Sequence, residues 1–207
     1  MLLGKKDKKK KEEIEPPEDT SVVDLLGALQ KGPEQRSIMF VGELNEEKAA
    51  DLISALLVLS QEKSEGKERA EDIKLYISTY GGSAHEMFGI YDVMNFCKNF
   101  CDIETIGIGK VMSAGTLLLA AGSDGKRRIG KHCQVMIHSV NGGTIGELHS
   151  LENEMEQIKN LQDMYIQCLS SETSMTKRQI QTLINRKINV YLSSEEAIEK
   201  GLADEVL

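Results

Sequence analysis

The stretch Ile103-Glu104-Thr105-Ile106-Gly107-Ile108-Gly109-Lys110-Val111-Met112-Ser113-Ala114-Gly115-Thr116-Leu117-Leu118-Leu119-Ala120-Ala121 decides the fold. Residues 103–108 have the apolar character of a strand, Gly109 interrupts the run, and from about Met112 to Ala121 small residues and leucines read as a helix. The same strand, turn and helix stand on either side. Residues 38–41 read as a strand, and Asn45 caps a helix with Glu46 and Glu47 in its first turn and Ala49, Leu52, Ile53, Leu56 and Leu57 as its buried stripe. After a charged loop at 62–72, residues 73–78 form a strand ending at Gly81-Gly82, followed by a helix with Met87, Ile90, Tyr91 and Met94 on one face. Residues 134–138 are a further strand. Such alternation predicts an α/β fold of parallel strands joined by right-handed crossovers, with functional loops at the carboxyl ends of the strands. Gly82 and Ser113 both fall at such ends.

Beyond this repeat, residues 145–169 read as one helix with Leu148, Leu151, Met155, Ile158 and Tyr165 as its stripe. At about 35 to 40 Å it overhangs a domain of this size. The spacing therefore predicts that it packs against another subunit. Thr176 with Gln179 and Ser193 with Glu196 form capping boxes that start two short helices, and Gly201 closes the last.

A chain of 207 residues, 40% hydrophobic and 28% charged, buries one substantial core. Aromatic residues are only 4% with no Trp, so that core is aliphatic, as suits helices packed on a sheet. One domain is expected over residues 21–207, preceded at 1–20 by a solvated, disordered tail in which six lysines are matched by six acidic residues. The basic block Lys5 to Lys11 leaves a nucleic-acid arm as the competing reading of that tail. The whole of the net charge of −8 belongs to the rest of the chain, which argues against a nucleic-acid or anionic-membrane surface.

Cys97, Cys101, Cys133 and Cys168 lie inside apolar patterns, as buried thiols of a reducing compartment do. Cys97 and Cys101 lack a second pair at ligand spacing, so no metal and no cofactor is expected. No apolar run reaches the roughly 18 to 20 residues of a membrane span, and Met1-Leu2-Leu3 is too short for a signal-peptide core. A cytoplasmic location, or an equivalent organelle interior, is expected.

Two readings of Ser113 are open. At a strand-to-helix turn among small residues it serves as an N-cap, or as a nucleophile beside backbone N–H groups that stabilise an oxyanion. His138, at the end of the apolar strand Val135-Met136-Ile137, is either a satisfied core histidine or the base for that nucleophile. Gly81-Gly82 is either a tight turn or a place where Gly82 and Ala114 aim their N–H groups at the same oxyanion. His85, His132 and His149 lie on helices or in charged loops and are expected in solvent.

Tyr76-Ile77-Ser78-Thr79-Tyr80-Gly81-Gly82-Ser83, then Gly109-Lys110-Val111-Met112-Ser113-Ala114-Gly115, Val135-Met136-Ile137-His138, and finally Leu192-Ser193-Ser194-Glu195-Glu196-Ala197 with Gly201-Leu202-Ala203-Asp204 together resemble the ordered motifs of the Clp protease proteolytic subunits. The resemblance spans roughly residues 36 to 207. It implies a ClpP/crotonase-like fold, a repeated β-β-α superhelix with a long protruding handle at about 141–170. It also implies two stacked heptameric rings enclosing a chamber where unfolded polypeptides are cut by a serine endopeptidase, and an AAA+ unfoldase of the ClpX, ClpA or ClpC type as partner. No nucleotide site is expected in this chain, consistent with the lack of a Gly-rich loop followed by Gly-Lys-Ser/Thr.

Carried over onto this sequence, the resemblance makes Ser113 the nucleophile and His138 the base. Gly82 and Ala114 become the oxyanion hole, and Gly81, Ser83, Asn141 and Gly142 bind the substrate backbone. The triad aspartate falls on Asn189, which accepts a hydrogen bond but carries no charge. In chymotrypsin-type enzymes such a change costs about 10⁴ in kcat, although an amide serves as third member beside cysteine nucleophiles. Ala114 follows the serine where the family has Met, Thr79-Tyr80 replaces Ser-Pro, and the lysine-rich tail stands where the family has an apolar axial gate. The competing reading is therefore a weakly active or non-catalytic ring subunit of a mixed assembly. A crotonase-type acyl-CoA enzyme shares the glycine-based oxyanion hole but has no purpose for the Ser and His motifs. A signal-peptide-peptidase relative would use Lys110 as base and carry a membrane anchor.

Overall fold

Alternation along the central strands sets the architecture. The structure is a computed structural model that describes residues 36–63, 66–143, 145–186 and 188–207. The tail predicted at 1–20 lies outside the described residues. Strand β1 (Ser37–Val41) leads to helix α1 (Glu46–Gln61), β2 (Ile73–Thr79) to α2 (Ala84–Cys97), and β3 (Ile103–Met112) to α3 (Ala114–Ala120). These three strands are adjacent and parallel. In β2, Ile73, Leu75, Ile77 and Thr79 are buried while Lys74, Tyr76 and Ser78 are only half-buried, the period-two signature of a sheet with one face on the core.

Four further strands extend the sheet: β4 (Arg127–Ile129), β5 (Gln134–Ile137), β6 (Val190–Leu192) and β7 (Glu205–Val206). The order runs β1-β2-β3-β4-β7, while β5 branches from β3 and carries β6 antiparallel to itself. The branch point is a bulge. Ile77 of β2 pairs with Gly107, but Thr79 pairs with Val111, so β3 holds more residues than its partner between these pairs. Before the bulge β3 pairs with β4, and after it with β5. The sequence places the strand end near Gly109; instead Gly109, at φ 67°, lies inside the bulge and the strand runs on to Met112.

Helix α3 is the centre of the core. Every residue from Ala114 to Ala120 is buried, with α2 on one side and the sheet on the other. Helix α4 (Leu148–Glu172) is about 37 Å long at 1.5 Å per residue. Its predicted stripe is buried only at the far end. Tyr165 is covered together with Ile166 and Leu169, whereas Leu148 and Met155 are 67% and 54% exposed, because the first half extends past the chain's own core. Helices α5 (Lys177–Ile184) and α6 (Ser194–Glu199) begin with both predicted capping boxes, and the Asn45 side chain accepts the Lys48 N–H at the start of α1. Among the described residues no helix is long and apolar enough to cross a membrane.

Candidate active site

Strand β3 delivers Ser113 into a turn that the surrounding backbone holds open. The Ser113 N–H donates to the Met136 carbonyl at 2.8 Å, tying the turn to the end of β5. Ser113 has φ 54° and ψ −120°, the sole non-glycine residue with positive φ among those described. Such a conformation costs about 1–3 kcal/mol and persists only where neighbours over-determine it. Although Ser113 occupies the N-cap position of α3, its side chain makes no capping hydrogen bond. Its Oγ lies 2.6 Å from Nε2 of His138. The capping reading is thereby removed.

His138 follows β5 directly and is half-buried. Burial alone holds its pKa below the ordinary imidazole value, so the ring is neutral near neutral pH and free to accept a proton. His85 and His132 are exposed, as is His149, which stands 3.5 Å from Glu152. Lys110 stands with its Nζ 4.7 Å from the centre of the Tyr80 ring, engaged at the rim and not at Ser113. Cys97, Cys101 and Cys133 are buried free thiols, and burial pushes Cys133 up to about 11. Among the described residues no group of three or more His, Cys, Asp or Glu is gathered as metal ligands.

The glycines fit their positions for steric reasons. A Cβ on Gly81, at φ 105°, would stand 2.6 Å from Ser113 Cβ. A Cβ on Gly82 would overlap the Leu44 carbonyl, so the adjacent segment at Leu44 by itself requires a glycine there. The Gly81 and Ser83 main chains are already bonded. Gly81 donates to Thr79 Oγ1 and accepts from Leu44; Ser83 donates to Leu44 and accepts from Met87. Their N–H groups are engaged within the fold, so pairing of either residue with a substrate backbone would fall to its carbonyl. Ser83 instead caps α2 through its hydroxyl. Thr79, fully buried, also donates to the Gly42 carbonyl and braces the turn.

A cleft of about 280 Å³ opens between these walls, lined among others by Gly82, Met87, Ser113, Ala114, His138 and Tyr165. Tyr165 of α4 forms its floor, and its hydroxyl donates to the Ser113 carbonyl at 3.3 Å. Burial raises its pKa, so it stays a neutral phenol. The sequence marks Tyr165 only as part of a helix stripe and gives no sign of this contact.

Asn189 is not brought to His138. It is exposed just before β6, where its Nδ2 donates to the Tyr191 hydroxyl at 3.5 Å. The predicted triad of Ser113, His138 and Asn189 is thus incomplete at its third position, because residue 189 precedes a short edge strand that carries it to the surface. The group at His138 Nδ1 is Asn141, with its Nδ2 3.2 Å away. The sequence assigns Asn141 and Gly142 to substrate binding; the structure places both on the loop after His138, with the Asn141 side chain turned to the imidazole. The signal available in the sequence was an amide three residues beyond a candidate base, in a glycine-rich loop.

A family model described as Clp protease matches residues 18–207. The chain belongs to the Clp protease family. It is 34% identical over 174 residues to the ATP-dependent Clp protease proteolytic subunit 2 of Thermobifida fusca (strain YX), covering 84% of this chain and 81% of that protein. It is also 34% identical over 186 residues to the ATP-dependent Clp protease proteolytic subunit of Borreliella afzelii (strain PKo), covering 90% of this chain and 88% of the relative. Membership of the Clp protease family makes a ClpP-type peptidase the activity to which the cleft is to be fitted.

Proposed function

We propose that this Clp-family chain is a serine endopeptidase that cuts unfolded polypeptides. The observation that carries this reading is the 2.6 Å approach of Ser113 Oγ to His138 Nε2, with the serine held in a strained backbone that turns its hydroxyl away from capping. Ser113 donates its proton to Nε2 as Oγ attacks the scissile carbonyl. The N–H groups of Gly82 and Ala114, which line the same cleft, receive the developing oxyanion. His138 then passes the proton to the leaving amine, and water releases the acyl group by the same steps in reverse roles. Gly142 remains a substrate-backbone contact in this reading.

The names of the relatives support an ATP-dependent setting, and an AAA+ unfoldase as the source of unfolded chains fits it. The overhanging first half of α4, apolar at Leu148, Leu151 and Met155, suits the contact between two stacked heptameric rings. A cytoplasmic location accords with the free cysteines. One observation favours the second reading, a weakly active ring subunit of a mixed assembly: among the described residues no carboxylate is hydrogen-bonded to His138. Labelling of the purified, assembled chain with a fluorophosphonate separates the two. Labelling that disappears in Ser113→Ala is the expected result. A parent that labels no faster than Ser113→Ala overturns the catalytic reading.

A further inference from the structure

We infer that Asn141, through its side-chain amide at Nδ1, is the residue that orients His138 and selects its tautomer, the place Asn189 does not fill. This rests on the peptidase reading above. For Nε2 to accept the Ser113 proton it must itself be unprotonated, so the neutral ring must carry its hydrogen on Nδ1. A protonated Nδ1 needs an acceptor. The polar group within reach among the described residues is the Asn141 amide, 3.2 Å away.

As placed, that amide turns its NH₂ toward Nδ1, an arrangement that pairs with the opposite tautomer, in which Nε2–H donates to Ser113. The oxygen and nitrogen of an amide are assigned from their hydrogen bonds, and a half-turn about the last torsion exchanges them at no change of shape. With Oδ1 toward the ring, Asn141 accepts from Nδ1–H and Nε2 is ready to take a proton. One side chain thus holds either a resting or a reactive imidazole. The loop that carries it runs close to α4, where a Cβ on Gly142 would fall 2.6 Å from Ile158 Cδ1. Among the described residues no charged group bears on the ring: burial is the one cause that moves its titration. Orientation, and not charge, is what Asn141 supplies.

Three variants test this: Asn141→Ala, Asn141→Asp and Asn189→Ala, all in the assembled chain. Peptide hydrolysis is followed as kcat and KM across pH. Asn141→Ala is expected to lower kcat about tenfold to a hundredfold with KM within about twofold of the parent, a smaller loss than the roughly 10⁴ seen when a charged orienter is lost. Asn141→Asp, which can only accept, should restore or exceed the parent kcat and move the acid limb of the profile to higher pH, since a carboxylate favours the imidazolium. Asn189→Ala should change kcat less than about twofold, a bound set by its lack of contact with the ring.

The inference is overturned if Asn141→Ala keeps the parent kcat and profile, or if Asn189→Ala loses as much as Asn141→Ala. If the parent neither hydrolyses peptide nor takes the fluorophosphonate, the peptidase reading fails on its own. Magic-angle-spinning NMR of ring-¹⁵N-histidine then decides the inference separately. The balance between Nδ1–H and Nε2–H forms of His138 must shift in Asn141→Ala and become wholly Nδ1–H in Asn141→Asp; an unchanged balance in both refutes it.

Discussion

The two walls of the cleft are made differently. On the Ser113 side almost every group is buried and bonded: the Thr79 hydroxyl bridges Gly42 and Gly81, Gly81 abuts Ser113, and the Ser113 N–H and the Thr116 hydroxyl both donate to Met136. On the His138 side, residues 139–143 run from half-buried to exposed, and the one described side chain bonded to the imidazole ring's far nitrogen is itself exposed. A nucleophile in a strained conformation needs a wall that cannot relax. A base that must gain and lose a proton is served by a partner that can turn. The difference shows where precision is built into the fold and where adjustment is left.

The largest effect that would break this contrast is on the rigid wall. Gly81→Ala forces a Cβ against Ser113 at a φ of 105° that side chains rarely adopt. Hydrolysis is expected to fall at least 10²-fold, in line with the cost of misplacing a reacting group by about 1 Å. A rate equal to the parent would mean that the wall is soft. Next comes Thr79→Val, which keeps shape but strips a fully buried hydroxyl from the Gly42 carbonyl and Gly81 N–H. Unpaired buried groups of this kind cost about 1–3 kcal/mol, to be read as a lower denaturant midpoint at unchanged slope.

The smallest effect sharpens the other wall. Because burial depresses the His138 pKa, the acid limb of kcat/KM should have its midpoint below pH 6.5. The same depression has a stability consequence. The unfolded chain binds a proton at its ordinary pKa that the folded chain refuses, so stability is intact above that value and falls as pH drops toward the folded pKa. A midpoint above 6.5 would reveal a negative charge near the ring that the described residues do not supply.

Much of the rigid wall was legible because it is built from local sequence. Glycines at strand ends and a serine before Ala-Gly declare themselves within a few residues, as does, on the opposite wall, a histidine closing an apolar strand. The short strands β4, β6 and β7, of two or three residues, were not legible, since their pairing comes from position in the sheet and not from pattern. Gly109 misled for a related reason: a lone glycine marks a strand end or a bulge equally well, and only the pairing of Thr79 with Val111 distinguishes them. Asn141 lies at His138 and Asn189 does not, because motif spacing locates a residue along the chain, while the reach of a side chain depends on where the loop carries it. Tyr165 escaped notice because a helix stripe does not say what lies beneath it.

The backbone of Ser113 has a bearing on stability as well as on chemistry. Its φ and ψ lie where glycine is at ease and every other residue is strained. Exchanging Ser113 for glycine would relieve this backbone strain and at the same time remove the hydroxyl, so stability and the Ser113–His138 contact pull in opposite directions at one position. Every other positive-φ position among the described residues is glycine, so position 113 alone carries a side chain at that cost in strain.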